Sequence, residues 1–264
     1  MVKRIITALL LLGFALPCMI FQGMPFLILV LFFVALALYE TLNIYANKWH
    51  KVSTYIIAIA MMLSVLFLPM EVGIPLVIVA CGYVLYSDEM SSIDEVSIVF
   101  MNAMIFILSV HNVKTYGSST YGAVYFLIFG CSLICDTGAY FIGSKFGKHK
   151  LCPRLSPKKS VEGAIGGWGI GIIYGLICGY VFINIIPSEL TWPFVIVSAL
   201  IVPLFSELGD LYFSSIKRHV GIKDFGNIFP GHGGGLDRID GLLFGLMSVN
   251  GLLMLSEWLT RLVI

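Results

Sequence analysis

Carboxylates inside apolar stretches are the residues of this sequence best suited to chemistry. They are Asp136 in C-D-T-G-A-Y, Glu207 and Asp210 in S-E-L-G-D, and Asp237 and Asp240 in D-R-I-D. A charged carboxylate at the centre of a transmembrane helix costs about 2.5 to 3.5 kcal/mol on insertion scales, so such a residue is a functional candidate by default. Because oxygen ligands suit a hard cation better than zinc, these residues predict a Mg²⁺ site.

Two of the carboxylates are expected at similar depths below one membrane surface. Asp136 precedes Lys145 on one apolar segment, and Asp210 precedes Lys217 on another. At a helical rise of 1.5 Å per residue, they lie roughly 13 Å and 10 Å below the charged ends of their segments. Carboxylates at similar depths on two helices can converge on one ligand.

The other pair lies at the start of the last apolar segment. Asp237 and Asp240 are spaced so that both occupy one face of a helix, close to its N-terminus. This end of a helix favours anions or a bound complex of metal and phosphate. In the alternative interpretation, Asp237 pairs with Arg238 or Lys223 and only caps the helix.

Glycine-rich and basic segments accompany the acids. In P-G-H-G-G-G, Gly233, Gly234 and their glycine neighbours leave backbone N–H groups free to approach a phosphate, just ahead of a helix N-terminus. His232 in the same motif is either a base or a donor to phosphate or backbone. In S-P-K-K-S-V-E-G, Lys158 and Lys159 can hold further phosphate oxygens, although a basic loop can also act only as a signal for membrane orientation.

Composition identifies the elements that must position these residues. Of the 264 residues, 59% are hydrophobic and 12% charged, whereas about 45 to 50% of a soluble domain is apolar. The apolar runs are long enough for helical spans and lack the alternation of a barrel. We expect an all-α polytopic membrane protein, a single membrane domain with a bundle of about nine transmembrane helices. The predicted spans are residues 5–21, 24–44, 53–70, 72–87, 95–113, 119–143, 163–186, 191–213 and 239–261.

The basic residues predict the orientation of the bundle. An even number of predicted spans separates each basic segment from the next, so all of them fall on one side, which the positive-inside rule makes cytoplasmic. The N-terminus is then cytoplasmic and the C-terminus outside. The net charge of +1 says little about partners, because the positions of the charges carry more information. No nucleic-acid partner is predicted. The basic segments are Lys3 and Arg4, Lys48 and Lys51, the run from Lys145 to Lys159, and the run from Lys217 to Arg238.

Glycines recur at every fourth position of the seventh predicted span, from Gly163 to Gly179. Small residues at this spacing form a smooth face that lets two helix backbones approach closely. The face therefore predicts tight helix packing, either inside the bundle or across a homodimer, and a groove for a lipid chain is the minor alternative.

The polar motifs together resemble the signature of the phosphatidate cytidylyltransferase (CDP-diglyceride synthase) family. The resemblance lies in K-R-x4-K-D-x-G, P-G-H-G-G and D-R-I-D, and it extends upstream through C-D-T-G-A-Y-F-I-G, S-P-K-K-S-V-E-G-A-I-G-G and S-E-L-G-D. It covers the C-terminal half strongly and the first spans only as generic hydrophobic helices. Two departures are visible: Gly235 stands where an aliphatic residue is usual, and Ser160 where threonine is common.

The resemblance implies an activity and a location. Members of this family join CTP to phosphatidic acid in phospholipid synthesis, giving CDP-diacylglycerol and pyrophosphate with Mg²⁺, and the number of metal ions is left open. The implied protein lies in the bacterial inner membrane among its lipids. The predicted orientation of the bundle, which the resemblance does not dictate, places its active site on the cytoplasmic side. Residues 1–115 would form a scaffold, and residues 116–264 would carry the catalytic helices and loops.

The resemblance also implies residue roles. Asp210 and Asp237 are the expected metal ligands, supported by Asp240 and Asp136, and Lys217 joins Asp210, Asp237 and Asp240 in catalysis. Asp224 would orient Lys223 or the cytosine. The residues implied to bind the phosphates of CTP or the lipid head group are Lys158, Lys159, Lys217, Arg218, Lys223, His232, Gly233 and Gly234.

Two other classes of function are consistent with parts of the sequence. One is a different CTP-dependent lipid enzyme, polyprenol kinase-like or an archaeal-type lipid cytidylyltransferase. The other is an ion-coupled transporter, in which Asp136 and Asp210 would be coupling sites. The absence of an inverted repeat, and the gathering of polar residues at one membrane face, argue against transport.

Overall fold

The computed structural model describes residues 2–21, 23–45, 102, 105, 108–111, 122–186, 190–229 and 233–263. This part of the chain is mostly helical. Its helices are α1 (Val2–Phe21), α2 (Gly23–Tyr45), α3 (Gly122–Phe146), α4 (Val161–Asn184), α5 (Trp192–Val220) and α6 (Leu236–Val263). A short hairpin of β1 (Lys150–Cys152) and β2 (Ser156–Ser160) connects α3 to α4.

Five of these helices contain segments long and apolar enough to cross a membrane. The segments are Gly23–Thr41, Gly122–Phe146, Val161–Asn184, Trp192–Val220 and Leu236–Leu255, and α1 adds a shorter apolar stretch, Leu10–Phe21. The chain is thus built as a helical integral membrane protein.

The described helices agree with six of the predicted spans. The spans at 5–21, 24–44, 119–143, 163–186, 191–213 and 239–261 correspond to α1 through α6. The spans at 53–70 and 72–87 lie outside the described residues, and within 95–113 the described residues are helical. The total of about nine spans and the sides of the termini stay predictions.

The glycine face of α4 packs against helices of the same chain. Its five glycines are buried, and the face contacts α3 near Gly163 and Gly167 and α5 near Gly175 and Gly179. The opposite side of α4 presents exposed side chains such as Ile165, as expected for a surface that faces lipid. The face therefore serves packing inside the bundle, and the homodimer stays a prediction.

The hairpin is an element that the sequence did not predict. Lys150 pairs with Ser160 and Cys152 with Ser156 in antiparallel register. Ser160 also caps α4, because its hydroxyl accepts a hydrogen bond from the Gly163 N–H at 3.2 Å. The hairpin thus delivers the S-P-K-K-S strand directly into the first turn of a membrane helix.

Helix α5 continues beyond its predicted end. It runs to Val220, so Lys217 and Arg218 lie on its last turn and not in a loop. The helix ends at Gly221, whose φ of 80° is left-handed and favours glycine. The Arg218 Nε donates to the Leu155 carbonyl at 3.2 Å, which ties the end of α5 to the hairpin.

Candidate active site

A polar cavity of about 650 Å³ lies where α3, the hairpin, α4, α5 and α6 meet. Most of the residues that the sequence singled out line this cavity, although they come from distant parts of the chain. The charged lining residues are Asp136, Lys158, Lys159, Glu207, Asp210, Lys217, Asp224, Asp237, Arg238 and Asp240. The fold therefore gathers the predicted acidic residues and half of the predicted basic residues around one space.

Lys159 joins the hairpin to α5. Its Nζ lies 2.7 Å from Asp210 Oδ2 and 3.7 Å from Glu207 Oε2. Burial lowers the pKa of Lys159, but the two carboxylates raise it by more, so the net pKa lies above its usual value. The ammonium group is therefore charged at neutral pH and offsets part of the negative charge of the acidic cluster.

A second ion pair joins α5 to α6. The Lys217 Nζ lies 2.8 Å from Asp237 Oδ1, and both side chains are buried. The other oxygen of Asp237 accepts hydrogen bonds from the backbone N–H groups of Phe225 at 2.8 Å and Gly234 at 3.0 Å. Asp237 thus organises the loop that precedes α6 as well as facing the cavity, and its partner is Lys217 instead of Arg238 or Lys223.

A buried carboxylate from α2 holds the start of α6. Glu40 is only 2% exposed, and its two oxygens accept hydrogen bonds from the N–H groups of Gly235 and Leu236, each at 2.8 Å. These groups have no partner inside the helix, and a carboxylate also interacts favourably with the helix dipole. A side chain at Gly226 or Gly234 would push the Glu40 carboxylate out of its position, so glycine at these two positions leaves room for it.

Asp136 and Asp240 complete the acidic wall of the cavity. Asp210 acts electrostatically on both, so the three carboxylates repel one another while Lys159 and Lys217 oppose the repulsion. Asp240 Oδ1 accepts a hydrogen bond from the Gly241 N–H at 2.8 Å. A cluster of like charges that includes carboxylates with spare oxygens has the chemistry of a cation site.

The donor set fits Mg²⁺ by type. Within the described residues, no three acidic, histidine or cysteine side chains are close enough together to enclose a metal ion. Instead, Lys159 contacts one oxygen of Asp210, and Lys217 contacts one oxygen of Asp237. A metal ion would thus have to share these carboxylates with the lysines.

An apolar cavity of about 380 Å³ adjoins the polar one. The two cavities share three lining residues, Asp136, Arg238 and Asp240. The rest of the apolar cavity is lined mainly by aliphatic and aromatic side chains of α1, α2, α3 and α6, including Leu12 and Phe33. The site therefore has a water-compatible compartment and a hydrocarbon-compatible compartment in contact.

Some predicted site residues do not line either cavity. Arg218 donates to the carbonyl oxygens of Leu155 and Ile222, Lys223 is exposed, and the Gly234 N–H already donates to Asp237. Gly233 adopts a φ of 84° and accepts a bond from the Phe229 N–H. His232 lies outside the described residues.

The structure also adds residues that sequence reasoning missed. Glu40 lies in a hydrophobic span. Its charge could have indicated a role, because acidic residues inside transmembrane segments are usually functional. From sequence, Arg238 is only an alternative ion-pair partner for Asp237. Glu207 was named among the acids without a role, and it contacts Lys159 and Cys135.

Comparison with known proteins gives similarity along nearly the whole chain. The model of the cytidylyltransferase family matches residues 2–256. Phosphatidate cytidylyltransferase of Staphylococcus haemolyticus is 35% identical over 263 residues, which cover 95% of this chain and 98% of the relative. The enzymes of that name from Staphylococcus aureus strain COL and Bacillus subtilis are 36% and 32% identical, over 96% and 92% of this chain and 99% and 94% of their own lengths.

Proposed function

Because the chain belongs to the cytidylyltransferase family, we propose that it transfers the cytidylyl group of CTP to phosphatidic acid. The products are CDP-diacylglycerol and pyrophosphate, and the reaction serves phospholipid synthesis. Relatives at 32 to 36% identity carry the name phosphatidate cytidylyltransferase, and that name supplies the two substrates.

The observation that carries the proposal is the contact between the two cavities. A charged space of about 650 Å³ suits the phosphates of a nucleotide, and the adjoining apolar space of about 380 Å³ suits hydrocarbon. Phosphatidic acid needs both environments, because its acyl chains lose about 0.8 kcal/mol for each CH₂ group that leaves the bilayer. The lipid phosphate would then meet CTP at the three shared residues.

The chemistry requires charge neutralisation more than proton transfer. An oxygen of the lipid phosphate attacks the α-phosphorus of CTP, a new P–O bond forms, and the bond to the bridging oxygen of the β-phosphate breaks to release pyrophosphate. The attacking phosphate is already ionised at neutral pH, so no strong general base is needed. Lys158, Lys159, Lys217 and Arg238 line the cavity in which two polyanions must approach each other.

We propose Mg²⁺ as the cofactor, with Asp210 and Asp237 as ligands and Asp136 and Asp240 in support. These carboxylates line one cavity and offer only oxygen donors, the type that Mg²⁺ prefers. When bound, the ion would neutralise phosphate charge and orient the α-phosphate for in-line displacement.

The proposed location is the inner membrane, with the cavity facing the cytoplasm. The hairpin carries four basic residues, Lys150, Arg154, Lys158 and Lys159, of which Lys158 and Lys159 line the polar cavity. Basic loops favour the cytoplasmic side. CTP is a cytoplasmic, water-soluble nucleotide, so this orientation places its entrance where it is available.

The test is a turnover assay with purified protein in detergent. Pyrophosphate release from CTP is measured with Mg²⁺ and, in separate reactions, phosphatidic acid, diacylglycerol or a polyprenol. We expect release with phosphatidic acid and formation of CDP-diacylglycerol. Equal or greater turnover with an acceptor that lacks the phosphate would contradict the proposal.

A further inference from the structure

The basic residues that line the polar cavity fall into two groups. Lys159 and Lys217 each contact a carboxylate of the site at 2.7 and 2.8 Å. Lys158 and Arg238 have exposed side chains, and in the described part of the chain neither makes an ion pair or a side-chain hydrogen bond, although Arg238 acts electrostatically on Asp136. Cations that line a cavity without a protein partner are the ones free to bind an anionic ligand.

The two free cations occupy different positions relative to the hydrocarbon. Arg238 follows Asp237 at the start of α6 and lines both the polar and the apolar cavity. Among the described lining residues of the apolar cavity, it is the basic one. If the acyl chains of a lipid occupied that cavity, the phosphate of the lipid would lie next to Arg238 at the boundary between the two cavities.

Lys158 lies away from the boundary between the two cavities. It belongs to β2, the hairpin strand that leads into α4. It lines the polar cavity but not the apolar one. The apolar cavity contains no hairpin residue. An anion that binds Lys158 is thus held at the loop end of the site, away from the hydrocarbon.

We infer that Arg238 binds the phosphate of the lipid acceptor and that Lys158 binds the phosphate chain of CTP. This assignment rests on the proposed function and deepens it, because it divides the positive charge of the site between the two substrates. A guanidinium group suits the lipid end, since its planar fork donates two parallel hydrogen bonds to a phosphomonoester. An ammonium group on a flexible stem suits a polyphosphate, which offers many oxygens in several directions.

The inference is tested with Arg238→Gln and Lys158→Gln in steady-state assays at saturating Mg²⁺. Arg238→Gln is expected to raise the KM for phosphatidic acid about tenfold or more and to change the KM for CTP less than about twofold. Lys158→Gln is expected to show the reverse pattern. Arg238→Lys, which keeps the charge but not the fork, should fall between the wild-type protein and Arg238→Gln.

Controls separate this effect from a general loss of charge or of folding. Arg154→Gln removes an exposed hairpin charge that lines neither cavity, and both KM values should stay within about twofold. Glycerol 3-phosphate, which has the phosphomonoester without acyl chains, serves as a competitor. Its inhibition should be competitive with phosphatidic acid. If Arg238 binds the phosphate group itself, this inhibition should weaken in Arg238→Gln.

The outcomes distinguish the inference from the function on which it rests. If wild-type protein does not form CDP-diacylglycerol, the proposed function fails. If wild-type protein is active but Arg238→Gln raises both KM values equally, or raises only that for CTP, the division of charge is wrong and the function stands. Competition by glycerol 3-phosphate that is unchanged in Arg238→Gln would also overturn the assignment.

Discussion

At the scale of single residues, the two expected metal ligands have different surroundings. The Asp210 side chain is 30% exposed and faces Lys159, which also has Glu207 within reach. The Asp237 side chain is 3% exposed, pairs with Lys217 and accepts two backbone hydrogen bonds. Removing the charge from either should slow the reaction strongly. Only at Asp237 does the change also leave a buried cation, Lys217, without its carboxylate partner.

We therefore predict that Asp210→Asn and Asp237→Asn both lower turnover, on the order of a hundredfold, and differ in stability. Asp237→Asn should cost about 3 to 5 kcal/mol, because Lys217 loses its buried partner. Asp210→Asn should cost less, because Lys159 keeps Glu207 at 3.7 Å. Activity assays and thermal unfolding in detergent give the two readings. Asp237→Asn combined with Lys217→Met should recover stability without activity; full activity in folded Asp210→Asn would exclude it as a ligand.

At the scale of elements, the start of α6 depends on a carboxylate from α2. Sequence motifs place the chemistry in the C-terminal half, yet Glu40 satisfies the first N–H groups of the helix that carries Asp237 and Asp240. Helices α1 and α2 also line the apolar cavity. The N-terminal helices thus contribute to the geometry of the site as well as to the scaffold.

Glu40→Ala is expected to loosen the start of α6. It leaves the N–H groups of Gly235 and Leu236 without acceptors, at a cost of roughly 1 to 3 kcal/mol for a buried donor. Hydrogen–deuterium exchange should become faster at these two amides, with little change in the middle of α5. Glu40→Gln keeps the volume and one acceptor, so its effect should be smaller; unchanged exchange in Glu40→Ala would show that the contact does not hold the helix.

The contact between α3 and α4 depends on glycine at specific positions. A methyl group at Gly167 would lie 2.5 Å from the Cys135 carbonyl oxygen and 2.7 Å from Ala139 Cβ, whereas one at Gly169 meets no atom of the described residues within 4 Å. Gly167→Ala should therefore lower thermal stability by about 1 to 3 kcal/mol and reduce activity, because Asp136 follows Cys135 on α3. Gly169→Ala is the matched control, and equal stability of both variants would contradict close packing at Gly167.

The sequence predicted the helices and the residues of the site better than the segment that connects α3 to α4. Hydrophobic length placed α1 to α6, and the resemblance in the C-terminal motifs was confirmed by the family match. The hairpin was missed because S-P-K-K-S lacks an apolar alternation and contains proline. Its strand forms where the pairing with Lys150–Cys152 and the cap of α4 coincide, which are contacts made only in the folded chain.

The same limit applies to individual site residues. Spacing predicted that Asp136 and Asp210 lie at similar depths, and both line the polar cavity. Spacing could not predict that Lys217 pairs with Asp237 or that Glu40 reaches α6, because helix packing sets both contacts. The roles assigned to Arg218, Lys223 and the glycines stay predictions.

At the scale of the whole molecule, the orientation of the bundle can be tested at the hairpin. Arg154 is exposed at the turn between β1 and β2. In a Cys152→Ser background, we predict that Arg154→Cys reacts with a membrane-impermeant maleimide in inside-out vesicles but not in intact spheroplasts. Labelling only from the outside would reverse the orientation and with it the proposed entrance for CTP.

The boundary formed by Asp136, Arg238 and Asp240 also determines which concentration of the lipid acceptor sets the rate of the enzyme. If the acceptor reaches this boundary through the apolar cavity, it is drawn from a two-dimensional reservoir. Turnover then follows the mole fraction of phosphatidic acid in the surface and not its amount per volume. Inert phospholipid added at constant total substrate would slow the reaction while the aqueous phase stayed the same, so membrane composition itself would set the rate.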